Sequence, residues 1–209
     1  MVLSLLPGNP FRHYFGAVHP LVAVALITIV GALSLRFLVE RGWFQILSTG
    51  SRRRGLLLSA GLATLFAAIV VPADFLIRFP QDMNVPLPQS LLFYPVIGYV
   101  VELVFHALPL ALLLWLLGPL QGRLPPDRLV WLCIPLVAVL EPLLQMGLGF
   151  SGQPLSWAQG FVAVHVFAFN LAQLAVFRRY DFVSMYVFRL VYYLYWHILW
   201  GSLRLFWLF

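Results

Sequence analysis

Long apolar runs that are nearly free of formal charge are the feature that most restricts how this chain can fold. Of its 209 residues, 62% are hydrophobic and only 10% are charged. A backbone within lipid must satisfy its own hydrogen bonds, so a spanning segment folds as an α-helix or as part of a closed barrel. About 20 apolar residues cross a bilayer as a helix. The sequence therefore predicts an all-α integral membrane protein, a polytopic bundle of about six transmembrane helices.

The predicted spans follow one another with short connections. They run from Ala17 to Leu38, Gly55 to Leu76, Pro88 to Leu120, Arg128 to Gly147, Leu155 to Phe177 and Phe182 to Trp200. No internal repeat or soluble linker separates them, so we expect a single integral membrane domain over residues 1–209. Residues 1–87 hold two spans and an outer loop, and residues 88–209 hold a four-helix core.

The third run is longer than one crossing needs, and it contains Pro95 and Pro109. A proline removes a backbone hydrogen bond from a helix and tends to kink or end it. We expect Pro95 to separate an interfacial start from the true span, and Pro109 to kink the remainder. The segment from Asp74 to Pro88 is expected to form an outer loop or a re-entrant cap.

The arginines predict the orientation of the bundle, because short cytoplasmic loops collect basic residues and translocated loops do not. All 13 basic residues are Arg. Nine lie in the first, third and fifth connections and three on the other side: Arg36, Arg41, Arg52, Arg53, Arg54, Arg123, Arg128, Arg178 and Arg179 against Arg12, Arg78 and Arg204. We expect a bacterial inner-membrane protein with both termini on the outer side.

Composition argues against several other classes. The net charge of +6 comes from arginines at loop edges, which is typical of membrane topology and predicts no nucleic-acid partner. Cys133 is the single cysteine, so an intrachain disulfide and a cysteine metal site are excluded and a buried core thiol is expected. No basic region precedes the first short apolar stretch, so no cleaved signal peptide is predicted.

Ionisable residues inside the apolar runs are the strongest indication of function. A charge within a bilayer is costly, so such residues pair, line a wet cavity or do chemistry. Residues four apart share a helix face, as Glu102 does with His106 and Glu141 with Gln145. The candidate catalytic residues are Glu102, His106, Glu141, His165 and His197, supported by Arg189, Tyr193 and Gln145. Their placement predicts one shared interior site.

Each of these residues also has a structural interpretation. His106 or His165 alone can serve as a hydrogen-bond partner between helices. Arg189 is expected to neutralise Glu102 or Glu141 rather than to take part in chemistry. Pro142, directly after Glu141, leaves the carbonyl four residues earlier without a donor, and in lipid that carbonyl needs another partner.

Two carboxylates and three imidazoles suit more than one kind of chemistry. A carboxylate can take a proton from water as a general base, while imidazole donors stabilise the oxyanion. The same groups suit a divalent metal such as zinc or iron, so a metal can be accommodated although no cofactor is required. No HExxH or GxSxG pattern is present, and the lack of an inverted repeat disfavours a transporter.

These residues resemble the motifs of the CPBP family, the CAAX-processing and bacteriocin-processing (Abi) intramembrane proteases. The stretch Val101 to His106 is similar to the EExxxR helix of that family, with the second Glu kept, and Glu141 stands at the His of FxxxH. On this alignment Arg189 and Tyr193 replace the His and Asn of the last helix. A second alignment takes Glu141 as the motif Glu, Phe161 to His165 as an intact FxxxH, and His197 as the final His, with Gly201 in place of Asn. The first alignment fits the order of the helices better.

The resemblance covers about residues 90–203 and implies a function. Such a protein hydrolyses a peptide bond with a Glu-activated water, while His and Asn donate to the oxyanion. The expected partners are membrane lipid and either a membrane-protein or peptide substrate or a partner subunit. One alternative is a catalytically degenerate relative that serves as a binding or assembly subunit of a membrane complex. A second alternative is an intramembrane metal or proton site.

Overall fold

A computed structural model of the chain describes Phe11 and residues 15–119, 124–149 and 156–209. All regular secondary structure in these residues is helical. The six long helices are α1 (Pro20–Glu40), α2 (Arg52–Ile77), α3 (Ser90–Leu116), α4 (Pro126–Ala138 and Leu140–Gly149), α5 (Trp157–Arg179) and α6 (Phe182–Tyr193, Leu194–Trp200 and Gly201–Trp207). A short 3-10 helix, Gln81–Met83, lies between α2 and α3. The predicted all-α bundle is confirmed.

Five helices, α1 to α5, are long and apolar enough to cross a membrane. The sixth helix, α6, carries Arg189, His197 and Arg204 and packs against α2, α3 and α5. Helix α4 packs against α3 and α5, and α1 packs against α3. Cys133 of α4 is free and buried, as predicted. The other helices thus cover the side of α6 that carries the two buried arginines, Arg189 and Arg204.

The third apolar run forms one continuous helix, which corrects the interruption predicted at Pro95. Pro95 lies inside the Ser90–Val101 segment of α3. Prolines are tolerated in membrane helices where neighbouring groups satisfy the backbone. The irregularity is instead a π-helical segment, Glu102–Ala107. This segment ends two residues before Pro109, whose ring has no N–H to continue the α-helical pattern, and a wider turn accommodates the proline.

Helices α2 and α6 approach each other closely along a stripe of small residues on α2. Gly55, Ser59, Ala63 and Ala67 recur every four residues and are all buried. Because lipid is as apolar as a helix surface, close packing over small side chains is a main source of helix association in membranes. A Cβ on Gly55 would lie only 2.5 Å from Ser184 Oγ of α6. The stripe therefore sets the distance between these two helices.

The first, third and fifth connections lie at the same end of the bundle. Arg178, at the end of α5, donates to the Trp43 carbonyl at 2.6 Å and pairs with Asp127 at the start of α4. The Ser48 N–H donates to the Asp181 carboxylate at 2.8 Å. The arginine pattern predicted this grouping, and the side of the membrane that it faces stays a prediction.

A buried ion pair closes the opposite end. Arg204 of α6 binds Asp74 of α2 through two bonds of 2.6 and 2.9 Å. The same guanidinium donates to the carbonyls of Phe79 and Pro80. Asp74 is a fully buried residue of the helix, whereas the sequence placed it at the start of a loop. The pair anchors the connection between α2 and α3 beside the end of α6.

Replacement of Ala63 by leucine tests the small-residue stripe. Ala63 is completely buried, so we expect Ala63→Leu to lower the free energy of unfolding by about 1–3 kcal/mol, because added methylenes strain a packed contact. Ala68 lies on the exposed face of the same helix, and Ala68→Leu should have little effect. Unfolding in detergent measures both variants, and equal losses would contradict close packing along this stripe.

Candidate functional site

Arg189 lies at the centre of a buried polar cluster formed by α3, α4, α5 and α6. Its side chain is 2% exposed, and its Nε donates to Glu102 Oε1 at 2.6 Å. Its Nη2 donates to Glu141 Oε2 at 3.1 Å, and its Nη1 lies 3.4 Å from Glu141 Oε1. One guanidinium therefore bridges two carboxylates from different helices. The prediction that Arg189 neutralises Glu102 or Glu141 is confirmed, and it holds for both.

Glu102 is enclosed by protein donors. Its Oε1 accepts bonds of 2.6 Å from both Arg189 Nε and Gln173 Nε2. Its Oε2 lies 2.5 Å from His106 Nδ1. Both Glu102 and His106 are completely buried. Since three short contacts surround this carboxylate, it has little capacity left to hold a water.

His106 acts as a hydrogen-bond partner of Glu102. The carboxylate accepts only, so Nδ1 is assigned as the donor and, in the neutral ring, Nε2 carries the lone pair. His106 Nε2 has no partner among the residues that the structure describes. The bond lies within α3, whereas the structural interpretation expected His106 to bond between helices; His165, which bonds Tyr192 of α6, is the imidazole that does so.

A break in α4 places Glu141 beside the cluster. The helix is interrupted between Ala138 and Leu140, and Pro142 has no N–H for the Ala138 carbonyl. Asn170 of α5 supplies the missing donor, with its Nδ2 at 3.2 Å from the Ala138 oxygen. The sequence predicted that this carbonyl needs another partner, and the structure identifies it. Asn170 Oδ1 also accepts from Arg189 Nη2 at 3.4 Å, which ties the break to the cluster.

A cavity of about 200 Å³ lies beside the cluster. Its polar lining comes from α4, α5 and α6 and consists of Glu141, Gln145, His165, Arg189, Tyr192, Tyr193 and His197. Glu102 and His106 do not line it. The candidate residues thus divide into a pair enclosed behind Arg189 and a set that faces the cavity. The sequence predicted a single interior site. In the structure, only one side of the polar cluster, which includes Glu141 and Arg189, borders the cavity.

Each imidazole at the cavity binds a different protein partner. His165 Nε2 lies 3.1 Å from the Tyr192 hydroxyl. His197 Nδ1 lies 2.7 Å from Asn84 Oδ1, and its ring stacks on Tyr94 with centroids 4.6 Å apart. No hydrogen bond joins either imidazole to Glu141 in the described part of the chain. The two rings therefore have set orientations at the wall of the cavity.

Four uncharged residues complete the site, and the sequence did not predict them. Gln173 accepts from Arg189 Nη2 at 2.9 Å while it donates to Glu102. Asn170 is hydrogen-bonded to the Ala138 carbonyl, Asn84 to His197, and Tyr192 to His165. The available signal was the presence of amides within or near apolar helices, because a polar group in lipid needs a partner. A search restricted to ionisable residues passes over them.

The side chains do not converge in the way that a metal site requires. Within the described ranges, no group of three or more His, Cys, Asp or Glu side chains could hold a metal ion. Glu141, His165 and His197 share a cavity wall, but each is held by its own protein partner. The divalent metal considered from the sequence gains no support from this geometry.

No protein-family model, curated protein or solved structure matches this chain. The resemblance to the CPBP family therefore stays a prediction from the motifs. The geometry bears on the two alignments in different ways. The first brings Glu102, Glu141, Arg189 and Tyr193 into one hydrogen-bonded cluster, and the second brings Glu141, His165 and His197 to one cavity.

Removal of the central cation tests the role of the cluster. Arg189→Met leaves two buried carboxylates without a counterion, and removing one partner of a buried ion pair costs about 3–5 kcal/mol of unfolding free energy. Adding Glu102→Gln should recover part of this loss, because one of the two uncompensated charges is then gone. Arg36 pairs with Glu40 on the surface, so Arg36→Met is the control. A loss for Arg189→Met no larger than that of the control would contradict the interpretation.

A double-mutant cycle tests the replacement of the missing donor in α4. Asn170→Ala leaves the Ala138 carbonyl buried without a partner, which should cost about 1–3 kcal/mol of unfolding free energy. Pro142→Ala restores a backbone N–H that can bond this carbonyl within the helix. The double variant should therefore lose less than the sum of the single losses. Strict additivity of the measured unfolding free energies would show that the two positions are independent.

Proposed function

We propose that this integral membrane protein hydrolyses a peptide bond at the cavity beside Arg189, with Glu141 as the general base. One observation carries the proposal: a single cavity gathers Glu141, His165 and His197 from three helices. A cavity holds a water when it offers roughly 10–15 Å³ and several polar partners. At about 200 Å³, this one has room for water and for part of a substrate.

The distribution of charge favours Glu141 over Glu102 as the base. Arg189 brings one positive charge to two carboxylates, and its shortest bond, 2.6 Å, goes to Glu102. Glu141 accepts only longer bonds, of 3.1 and 3.4 Å from Arg189 and 3.4 Å from Gln145. Glu141 also lines the cavity, which Glu102 does not, so a water in the cavity can reach the Glu141 carboxylate. A general base needs such a free and partly uncompensated carboxylate.

The Tyr193 hydroxyl supplies a donor for the developing oxyanion, and Arg189, whose own N–H groups are bound to protein partners, orients that hydroxyl. The Tyr193 hydroxyl accepts from Arg189 Nη1 at 3.2 Å, and its own proton has no acceptor among the described residues. This proton is available to the cavity that Tyr193 lines. On the first alignment Tyr193 replaces an Asn, and both side chains can donate a hydrogen bond. The substitution therefore retains the chemical capacity that stabilises a tetrahedral intermediate.

The proposed reaction balances with these groups. Water gives a proton to Glu141 as the water oxygen bonds to the carbonyl carbon, and the oxyanion accepts a hydrogen bond from the Tyr193 hydroxyl. The intermediate then collapses, the C–N bond breaks, and the proton held by Glu141 passes to the nitrogen of the leaving amine. His197, which donates through Nδ1 to Asn84 as assigned, keeps Nε2 as an acceptor for proton transfer.

A binding or assembly subunit is the second candidate function. The saturation of Glu102 and Arg189 by protein partners favours it, because an ion cluster that is fully paired stabilises a fold without doing chemistry. Helix α1 exposes Leu26, Ile29 and Leu33, an apolar face that another membrane helix can cover. Such a subunit needs no free carboxylate at the cavity.

We also infer a bacterial inner-membrane location with the arginine-rich end in the cytoplasm. The shared position of the first, third and fifth connections supports this orientation, since these connections carry most of the arginines. The cavity then lies toward the other side of the membrane, near the Asp74–Arg204 pair.

Newly formed protein termini, measured by mass spectrometry in cell membranes, test the proposed hydrolysis. Termini that appear with the wild-type chain should vanish with Glu141→Gln, because the amide retains the shape of the side chain but cannot act as a base. Glu40→Gln, at an exposed position, is the matched control and should keep them. Thermal unfolding in detergent shows whether each variant is folded. Identical termini with a folded Glu141→Gln protein would overturn hydrolysis and favour the binding subunit.

A further inference from the structure

A second and larger cavity adjoins the site. It has a volume of about 390 Å³ and lies between residues 77–80, 142–146 and 158–163; we call it the lateral groove. Its walls are mostly apolar, with Ile77, Met146 and Val162 among them. Phe79, Gln145 and Val162 line both the groove and the polar cavity beside Arg189. The groove therefore stands next to the polar cavity along a shared wall.

The lateral groove opens on a surface that faces lipid. The helices that form it expose large apolar side chains next in sequence to its lining residues, including Leu76 at 78%, Val164 at 69% and Leu143 at 54%. Trp157, at the start of α5, is exposed as well, and tryptophan prefers the interface between membrane and water. The groove thus extends from interfacial depth, beside Trp157, toward the hydrocarbon, where Val162 lies more than one helical turn further along α5.

Arg78 lies at the interfacial end of the groove, and its side chain is exposed. It is the C-cap of α2 and adopts a left-handed backbone conformation, φ 52°, with its N–H bonded to the Asp74 carbonyl at 2.8 Å. Glycine is the usual residue at such a position, since a side chain is strained there. The Arg78 guanidinium makes no hydrogen bond or ion pair within the described ranges. The local fold therefore does not require arginine, and its charge is available to an external anion.

We propose that the lateral groove binds an acyl chain of an anionic lipid whose phosphate pairs with Arg78. The apolar walls match a hydrocarbon chain, and the lone cation at interfacial depth matches the headgroup, because basic residues near a membrane surface attract anionic lipids. The bound lipid lies against Phe79, Gln145 and Val162, between the bilayer and the polar cavity. This inference does not depend on the proposed hydrolysis.

Lipid retention tests the proposal with the full-length protein. The protein is reconstituted in equal amounts of phosphatidylglycerol and phosphatidylcholine and moved to mild detergent, and the retained lipids are quantified by mass spectrometry. Phosphatidylglycerol should be enriched about fivefold more in the wild type than in Arg78→Gln, as the loss of one basic residue at the surface predicts. This part of the enrichment, which depends on Arg78, should persist in Arg52→Gln, a variant of an exposed arginine at the opposite end of the bundle.

Two further variants separate binding from folding. Arg78→Gly removes the charge and relieves the left-handed strain, so the melting temperature should stay equal or rise while this part of the enrichment is lost. Ala163→Phe places a ring in the groove and should reduce retention of the bound lipid. Enrichment equal to that of the wild type in folded Arg78→Gln and Arg78→Gly proteins would overturn the proposal. So would an absence of enrichment in the wild type, the result expected if the groove instead takes a peptide.

Discussion

The buried guanidinium of Arg189 is the interaction on which the interior of this protein depends. A cation within the hydrocarbon region is tolerated only when other groups neutralise and bond it. Glu102 on α3, Glu141 on α4, and Asn170 and Gln173 on α5 all do so. These partners come from separate helices, and leaving Arg189 unpaired costs free energy. The hydrogen bonds to Arg189 therefore fix the positions of α3, α4 and α5 around α6. The broken α4 belongs to the same arrangement, since Asn170 serves both the cation and the freed carbonyl.

The cluster gives two similar carboxylates different environments. Glu102 is completely buried and held by short bonds, whereas Glu141 has longer bonds and borders the cavity. Environment decides the chemical role of a carboxylate, as the separation of acid and base functions in many active sites illustrates. Under the proposed function, Glu102 fixes Arg189 and Glu141 does the proton transfer. If the protein instead acts as a binding subunit, the same contacts are a lock between helices.

The connection between α2 and α3 links the site to the bilayer. Its anchor is the Asp74–Arg204 pair, which holds the backbone at Phe79 and Pro80. In this anchored segment, Phe79 lines both the polar cavity and the lateral groove, whereas Arg78 lines only the groove. The short segment between two buried helix ends therefore shapes the surface through which a lipid or a substrate meets the site.

Properties that arise within single segments could be predicted from the sequence. Apolar length predicts the all-α membrane bundle, and the arginine pattern predicts which connections lie together. The cost of a buried charge predicts a counterion for Arg189, and backbone chemistry predicts an unsatisfied carbonyl four residues before Pro142. Tertiary structure decided which groups meet. Glu102 and Arg189 are 87 positions apart, and no local pattern encodes their contact, the enclosure of Glu102, or the access of Glu141 to a cavity. Tertiary structure also decided that α3 continues through Pro95 and that Asp74 is buried in a helix. Neighbouring helices compensate the free-energy cost of a proline within a helix and of a buried carboxylate, and a single segment cannot do so.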